Sequence, residues 1–441
     1  MKKVNLSKYV EIIFETPSED YSEWFGYYNY DTLTTDHSKL LCNRIKEDGI
    51  SPRADLHIEV GYYDIPSGTW HHIGESDSWN WQQGCMAQWL NDDEIIYNSS
   101  ENGHHIAIIH NIKTCSNRKI DWAIYGITPD GRRSLSLDME RAHWCRAYHY
   151  ESVKDYKKDG LVYEGDGIFE IDLEKNTRKR IISIQDIIEL DSRPYFKNAK
   201  HWLEHIMINQ EGTKFCVLHR FSPKDNVYSY CTRLIIVDLK SLQMQCIPGW
   251  EHTRWSHFGW NGDDFVIYSY PLKGEGISEK DFNADQRIVS IGTETKKNSR
   301  SGLSLRGCFR YLINALVPAT IERKIRKRYS YYQYYKCVAG RYKLDYLINN
   351  TQFLLDGHPS FNKEGTYMIT DTYPDNKKYQ RLFYYDMNTK KVKRLGTFYA
   401  NYTGNPASCD LHPKISKDGR IIVVDSAHDN KHHIIVLRIK A

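Results

Sequence analysis

Three histidines in this chain each open a strand-like run that a glycine turn closes seven residues later. His205 leads to Gly212 in HIMINQEG, His358 to Gly365 in HPSFNKEG, and His412 to Gly419 in HPKISKDG. A looser copy, SHFGWNGDDF, carries His257 with an earlier turn. A unit that recurs at about fifty residues and begins with the same polar side chain is a mark of radial repetition. In a β-propeller the innermost strand of each blade starts beside the central channel, so the spacing predicts that the four histidines face one another across the axis.

The same turn signal without the histidine occurs in YGITPDGRRSLSL (125–137), and weaker copies occur in QWLNDDEIIYN (88–98) and YYNYDTLTTDHSKLLC (27–42). Seven units result: 27–75, 82–115, 124–178, 205–248, 257–300, 350–396 and 412–439. The expected fold is all-β, a seven-bladed β-propeller in which residues 1–441 form one domain. The run YVEIIF (Tyr9–Phe14) precedes the first unit and is expected to pair with the last blade, removing the edges an open sheet would leave. The 33 tyrosines, 11 tryptophans and β-branched runs such as RLIIVDL suit pleated, half-buried surfaces. A net charge of +4 is small for this length and argues against a nucleic-acid partner.

One stretch breaks the regularity. From Lys296 to Arg328 there are ten lysines and arginines, with Glu322 the only acid. Leu305, Phe309, Leu312 and Leu316 fall on one helical face, Pro318 interrupts, and Ile321, Ile325, Tyr329 and Tyr332 form a second stripe. This predicts a basic amphipathic helical hairpin over 296–333, inserted between blades five and six. Such a surface either packs on the propeller with its charges solvated or docks on an anionic membrane surface or partner. The opening segment MKKVNLSKYVEIIFETPSED shows no secretory signal or membrane-spanning run. Ten cysteines are scattered singly, as expected of reduced packing groups rather than structural zinc ligands. Together these predict a cytoplasmic protein, peripheral at the inner face of the membrane if the basic hairpin docks there.

The stretches DGHPSFNKEGTYMITDTYPD (356–375), CDLHPKISKDGRIIVVDSAH (409–428), WNWQQGCMAQWL (79–90) and KHWLEHIMINQEG (200–212) resemble the oligogalacturonate-lyase-like group of bacterial β-propellers. Lyases of this architecture cut uronic-acid glycans by β-elimination. The resemblance implies a histidine-rich metal site in the channel, as in oligogalacturonate lyases, or histidine, tyrosine and arginine chemistry, as in ulvan lyases. The implied partner is an acidic oligosaccharide.

β-Elimination from a uronate needs a positive group or metal on the carboxylate, a base for the proton at carbon five, and an acid for the leaving oxygen. The channel set His205, His257, His358 and His412 is suited to a divalent ion, manganese or zinc, with a position open for a carboxylate. The competing expectation is that each histidine merely caps its blade. A second cluster is MERAHWCRAYHYE (139–151), read as a rim loop. There His143, Arg146, Tyr148 and Tyr150 are catalytic candidates, and Arg141 and His149 are substrate-binding ones. Arg220, beside His219, is a further catalytic candidate for an anionic ligand. Asp410 is expected to orient His412. Asp371, Tyr373, Asp375, Asp425 and His428 follow strands and suit turns equally well. Trp202 is a candidate platform for a sugar face, although it, Trp79, Trp81 and Trp255 also suit the space between blades. No phosphate-cradling loop or nucleophile elbow is present. The reading is a uronate lyase. The alternatives are a non-catalytic glycan- or protein-binding propeller in cell-surface polysaccharide metabolism, docked through the basic insertion, and, last, a transferase accessory.

Overall fold

The structure, a computed structural model, describes residues 3–440 apart from 18–19, 48, 146–149, 155–157, 224–229, 252, 272–330, 349–351, 354 and 402–406. Seven antiparallel sheets follow one another along the chain, each a meander of neighbouring strands. Blade one holds Ser22–Trp24, Lys39–Ile45, Ile58–Asp64 and Thr69–Ser76; blade two runs from Gln88–Asn91 to Ser116–Ile120. Blade three runs from Gly126–Ile127 to Thr177–Ser183, and blade four from Ala199–Ile208 to Met244–Cys246. Blade five begins at Thr253–Asn261 and ends at Arg341–Ile348; blade six begins at Ser360–Phe361 and blade seven at Lys414–Ile415. This is the seven-bladed propeller that the repeat predicts.

The ring closes through the N-terminal segment. Val10–Glu15 is the outer strand of blade seven, paired with His433–Ile439, and Val4–Leu6 adds a fifth strand to blade six. Both outer edges are thereby covered by chain from the other end of the sequence, which holds the first and last blades together.

Blade one departs from the pattern at its inner strand. Trp24 pairs with Asn43, the chain then leaves the sheet, and it returns at Thr32 and Leu33 to meet Leu41 and Leu40. The excursion Phe25–Asp31 reaches other blades instead. The amides of Phe25 and Gly26 donate to buried Asp425 of blade seven, and the Tyr28 hydroxyl donates to the Phe258 carbonyl of blade five at 2.7 Å. The Trp89 amide of blade two donates to the Asp31 carbonyl. One short segment thus touches several blades at once, so it lies across the channel.

The basic segment sits elsewhere than expected. Asp264–Pro271 and Tyr331–Val338 are adjacent strands of blade five, so the insertion interrupts that blade between its second and third strands and does not lie between blades five and six. Tyr332, read as part of a helical stripe, is a buried strand residue. The predicted hairpin itself falls on residues outside those described. Among the described residues no helix is long and apolar enough to cross a membrane, and the nine described cysteines are free.

Several histidines that precede no glycine turn are buried as neutral groups. Burial lowers His201 to about 4 and His105 to about 3. Their neutral forms are stabilised by folding, so this contribution is whole above the unfolded value near 6.5 and is lost as pH falls through the window below it. The prediction is that His105→Asn flattens the acid limb: the urea-denaturation free energy should fall between about pH 7 and pH 4.5 by about 2 kcal/mol less in the variant than in the parent.

Candidate metal centre

The start of each inner strand is where the blades come closest, and the backbone there aims the histidines inward. In blades four and five the histidine lies at a register shift, between Glu204 and Met207 and between Trp255 and Phe258. A bulge of this kind re-aims a side chain that a regular pleat would send into the sheet. His358 and His412 instead precede the short inner strands Ser360–Phe361 and Lys414–Ile415. His412 has φ +45 and His205 φ +54, left-handed backbone that a histidine adopts only when its surroundings fix it.

Three of the four imidazoles converge. The His257 and His358 ring centroids are 4.0 Å apart, and those of His358 and His412 are 4.4 Å apart. Each of the three points Nδ1 at an acceptor. His358 Nδ1 lies 3.0 Å from Asp371 Oδ1, His257 Nδ1 lies 3.2 Å from Asp356 Oδ1, and His412 Nδ1 lies 2.7 Å from the Gly26 carbonyl. Because a carbonyl only accepts, His412 carries its proton on Nδ1 and presents a lone pair at Nε2. Nε2 of His358 and of His412 are buried and make no hydrogen bond. Asp410, His358 and His412 place their ligand atoms within 4.8 Å of one another.

His205 stands apart from the trio. Its ring stacks on Tyr27 at 5.2 Å, and Tyr27 in turn meets His412 at 4.9 Å. Its Nδ1 is 3.3 Å from the Tyr125 hydroxyl, and its Nε2 is 3.6 Å from Glu204. A hydrogen-bond chain leads outward from Tyr125 through Gln83 to the Tyr150 hydroxyl.

The electrostatics are those of buried carboxylates and imidazoles crowded together without enough positive charge to ionise the acids freely. Burial pushes Asp410 up to about 7 and Asp371 up to about 6. Burial, reinforced by neighbouring imidazoles, holds His358 and His412 well below the usual range. His257 goes the other way: burial works against its charge, but Asp356, Asp410 and Asp371 outweigh it and raise the pKa. A divalent cation would relieve the carboxylates and use the two lone pairs together. An N–H donated to a carboxylate or carbonyl with the opposite nitrogen left open is the arrangement of a metal-ligating histidine. The residues present therefore fit a divalent ion.

Other candidate residues are placed differently. Arg141 is wholly buried, and its guanidinium donates to the carbonyls of Lys158, Gly160, Leu161 and His201, so it ties the segment before blade four together and has no face for a substrate. Trp202 is also fully buried, donating to Glu204 at 2.6 Å, which corrects its reading as a sugar platform. Arg220 forms an ion pair with Glu204 at 2.8 Å. His143 lies on a short helix, Met139–Cys145, rather than a loop, with Nδ1 4.0 Å from Glu151. Tyr150 is buried; Arg146, Tyr148 and His149 lie outside the described residues.

Several site residues went unassigned in the sequence. Asp356 stands two residues before His358, as Asp410 does before His412, so the repeated D-x-H was the available signal. Gln82, 3.5 Å from Asp410, and Tyr27, Tyr28 and the Gly26 carbonyl carry no such repeat.

No family model matches this chain, and no curated protein sequence does. Among solved structures it is similar to an oligogalacturonate lyase in complex with manganese, with a TM-score of 0.60 and 13% identity over 98% of this chain and 93% of that one. It also matches the tricorn protease (TM-score 0.46, 10% identity, 94% of this chain and 34% of that one). TolB from Acinetobacter baumannii matches with a TM-score of 0.37 and 11% identity, over 92% of this chain and 80% of that one. The first likeness supports the propeller fold.

Gly26 joins the segment across the channel to the centre. It has φ +113, and a Cβ there would lie 2.7 Å from the Gln83 carbonyl oxygen. Gly26→Ala is expected to lower stability by more than about 1 kcal/mol in urea denaturation. It should also displace His412 and weaken divalent-metal binding, measured by calorimetry.

Proposed function

We propose that the protein is a metal-dependent lyase that cleaves a uronic-acid-containing oligosaccharide by β-elimination at this centre. The observation that carries the reading is the pair of buried, unbonded Nε2 atoms of His358 and His412, whose rings are fixed from behind by Asp371 and by the Gly26 carbonyl. His257, His358, His412 and Asp410 would hold the ion. Manganese or zinc bound there would draw charge from the uronate carboxylate and so acidify the proton at carbon five. The likeness to a manganese-bound oligogalacturonate lyase supports manganese as the first ion to test.

The chain's own groups supply the rest. His205 would accept the carbon-five proton on Nδ1 in exchange for its 3.3 Å contact with the Tyr125 hydroxyl, while Glu204 faces Nε2 from behind. Tyr373 is partly exposed, with its ring 5.8 Å from both His257 and His358, and is suited to give a proton to the leaving oxygen. Tyr27 and Tyr28 of the Phe25–Asp31 segment pack against His205, His412 and His358 and so form part of the wall around the reacting groups. Blade five's second strand ends at Pro271, opposite Thr253, so the basic segment leaves the sheet at the end from which the His257 strand enters.

The test is metal analysis of the purified protein coupled to an ultraviolet assay for unsaturated uronate on a panel of acidic oligosaccharides. Turnover lost on chelation and in His358→Ala is the expected result, with Asp371→Asn weakening metal affinity by about 10- to 100-fold. Metal without turnover, or neither, would make a glycan-binding propeller the better reading.

A further inference from the structure

A second group of ligand-type side chains lies where the ring closes. His428, Asp429 and His433 place one ligand atom each within 4.8 Å of one another. The His428 and His433 ring centroids are 5.0 Å apart. Glu15, the last residue of the closing strand Val10–Glu15, puts Oε1 3.4 Å from His428 Nε2. Two imidazoles and two carboxylates thus face one another across the seam between the two ends of the chain.

Hydrogen bonding fixes the tautomer of one ring. His433 Nδ1 lies 3.3 Å from the Thr16 carbonyl, which only accepts, so the proton is on Nδ1. The neutral ring then presents its Nε2 lone pair to Asp429 Oδ1 at 2.6 Å. Two acceptors in contact require positive charge between them. His428 Nδ1 lies 3.1 Å from the Ser426 hydroxyl, so its Nε2 is the nitrogen turned to Glu15 and to the His433–Asp429 pair. A divalent cation among His428, Asp429 and His433 would meet two imidazoles and a carboxylate, with the Glu15 carboxylate beside His428.

We propose that His428, His433, Asp429 and Glu15 form a second divalent-metal site, of zinc type, that clamps the N-terminal strand to blade seven. Ligand atoms of a tetrahedral zinc centre lie about 3.3 Å apart, so His428, Asp429 and His433, already within 4.8 Å of one another, must draw together and the Glu15 side chain must swing in as the fourth ligand. The side chains that must move most, Asp429 and Glu15, are 43% and 35% exposed and have room to swing. The ligand types, two nitrogens and two carboxylate oxygens, suit zinc or cobalt better than calcium or magnesium. The mechanical consequence follows from the topology. The outer strand is held by one neighbour alone, so it is the place where the ring opens most easily. A bridge from Glu15 to the His428–His433 turn closes nearly the whole chain into a loop and ties down that strand.

The experiment is titration of the full-length, chelator-stripped protein with Co2+, read by visible absorption, with thermal unfolding followed in the presence and absence of Zn2+. Glu15→Gln and Asp429→Asn are nearly isosteric changes at side chains that reach solvent, so each variant is expected to fold. Each is expected to remove one equivalent of Co2+ or weaken it at least about tenfold and, in a His358→Ala background that removes the channel site, to abolish the Zn2+-dependent rise in Tm. That equivalent should survive in His358→Ala, which separates this site from the channel centre. Cobalt binding unaltered by Glu15→Gln and Asp429→Asn would overturn the site. Binding with no change in Tm would overturn the clamp.

Discussion

The contact on which this molecule turns is the pair of amides of Phe25 and Gly26 held by the carboxylate of Asp425. Asp425 belongs to the last blade and the amides to the first, so the contact joins the two ends of the chain inside the ring. Buried amides left without an acceptor would each cost about 1–3 kcal/mol, which forces the chain to follow this path rather than continue the inner strand of blade one. Everything central follows from that detour. Tyr27 and Tyr28 enter the channel, the Gly26 carbonyl meets His412, and Lys414 finds the Asn29 carbonyl. The chain itself therefore lies across the channel, and the histidine cluster rests on it.

That support explains how polar groups persist in so enclosed a place. Three carboxylates, Asp356, Asp371 and Asp410, share the space with His257, His358 and His412. Each imidazole is oriented from outside by an acceptor, while burial pushes Asp371 and Asp410 toward their neutral forms. An arrangement serving stability alone would pair every nitrogen, because a buried polar atom without a partner costs free energy. His358 and His412 leave Nε2 unpaired. The capping role weighed for these histidines accounts for Nδ1 of His412 and leaves the two open nitrogens unexplained.

The fold was legible because the propeller repeats the same turn chemistry, and each strand start then reports the channel. The closing of the ring by Tyr9–Phe14 was legible for the same reason, since an orphan strand before the first unit has one place to go. What failed was any inference that needed side-chain direction. Arg141 looked like a carboxylate clamp because composition shows an arginine beside histidines and tyrosines; only the fold reveals four carbonyls around its guanidinium. His205 has the same spacing as His358 and His412, yet its bulged strand turns it toward Tyr125 and Glu204. Tyr332 fell on a helical stripe because tyrosines spaced three and four apart also occur in an aromatic strand such as Tyr331–Val338.

The two histidine groups of blade seven show how one hairpin serves two ends. His412 enters from the inner strand side and faces the axis, while His428 and His433 lie by the turn that joins the second and third strands, facing the N-terminal strand. Asp425 stands between them in sequence and holds the channel segment. Inner strand, channel segment and outer seam are thus linked through a single short stretch of blade seven. A propeller without the Phe25–Asp31 detour would lack that link: its first inner strand would stay in register with Lys39–Ile45, and His412 would lose the carbonyl that fixes its ring.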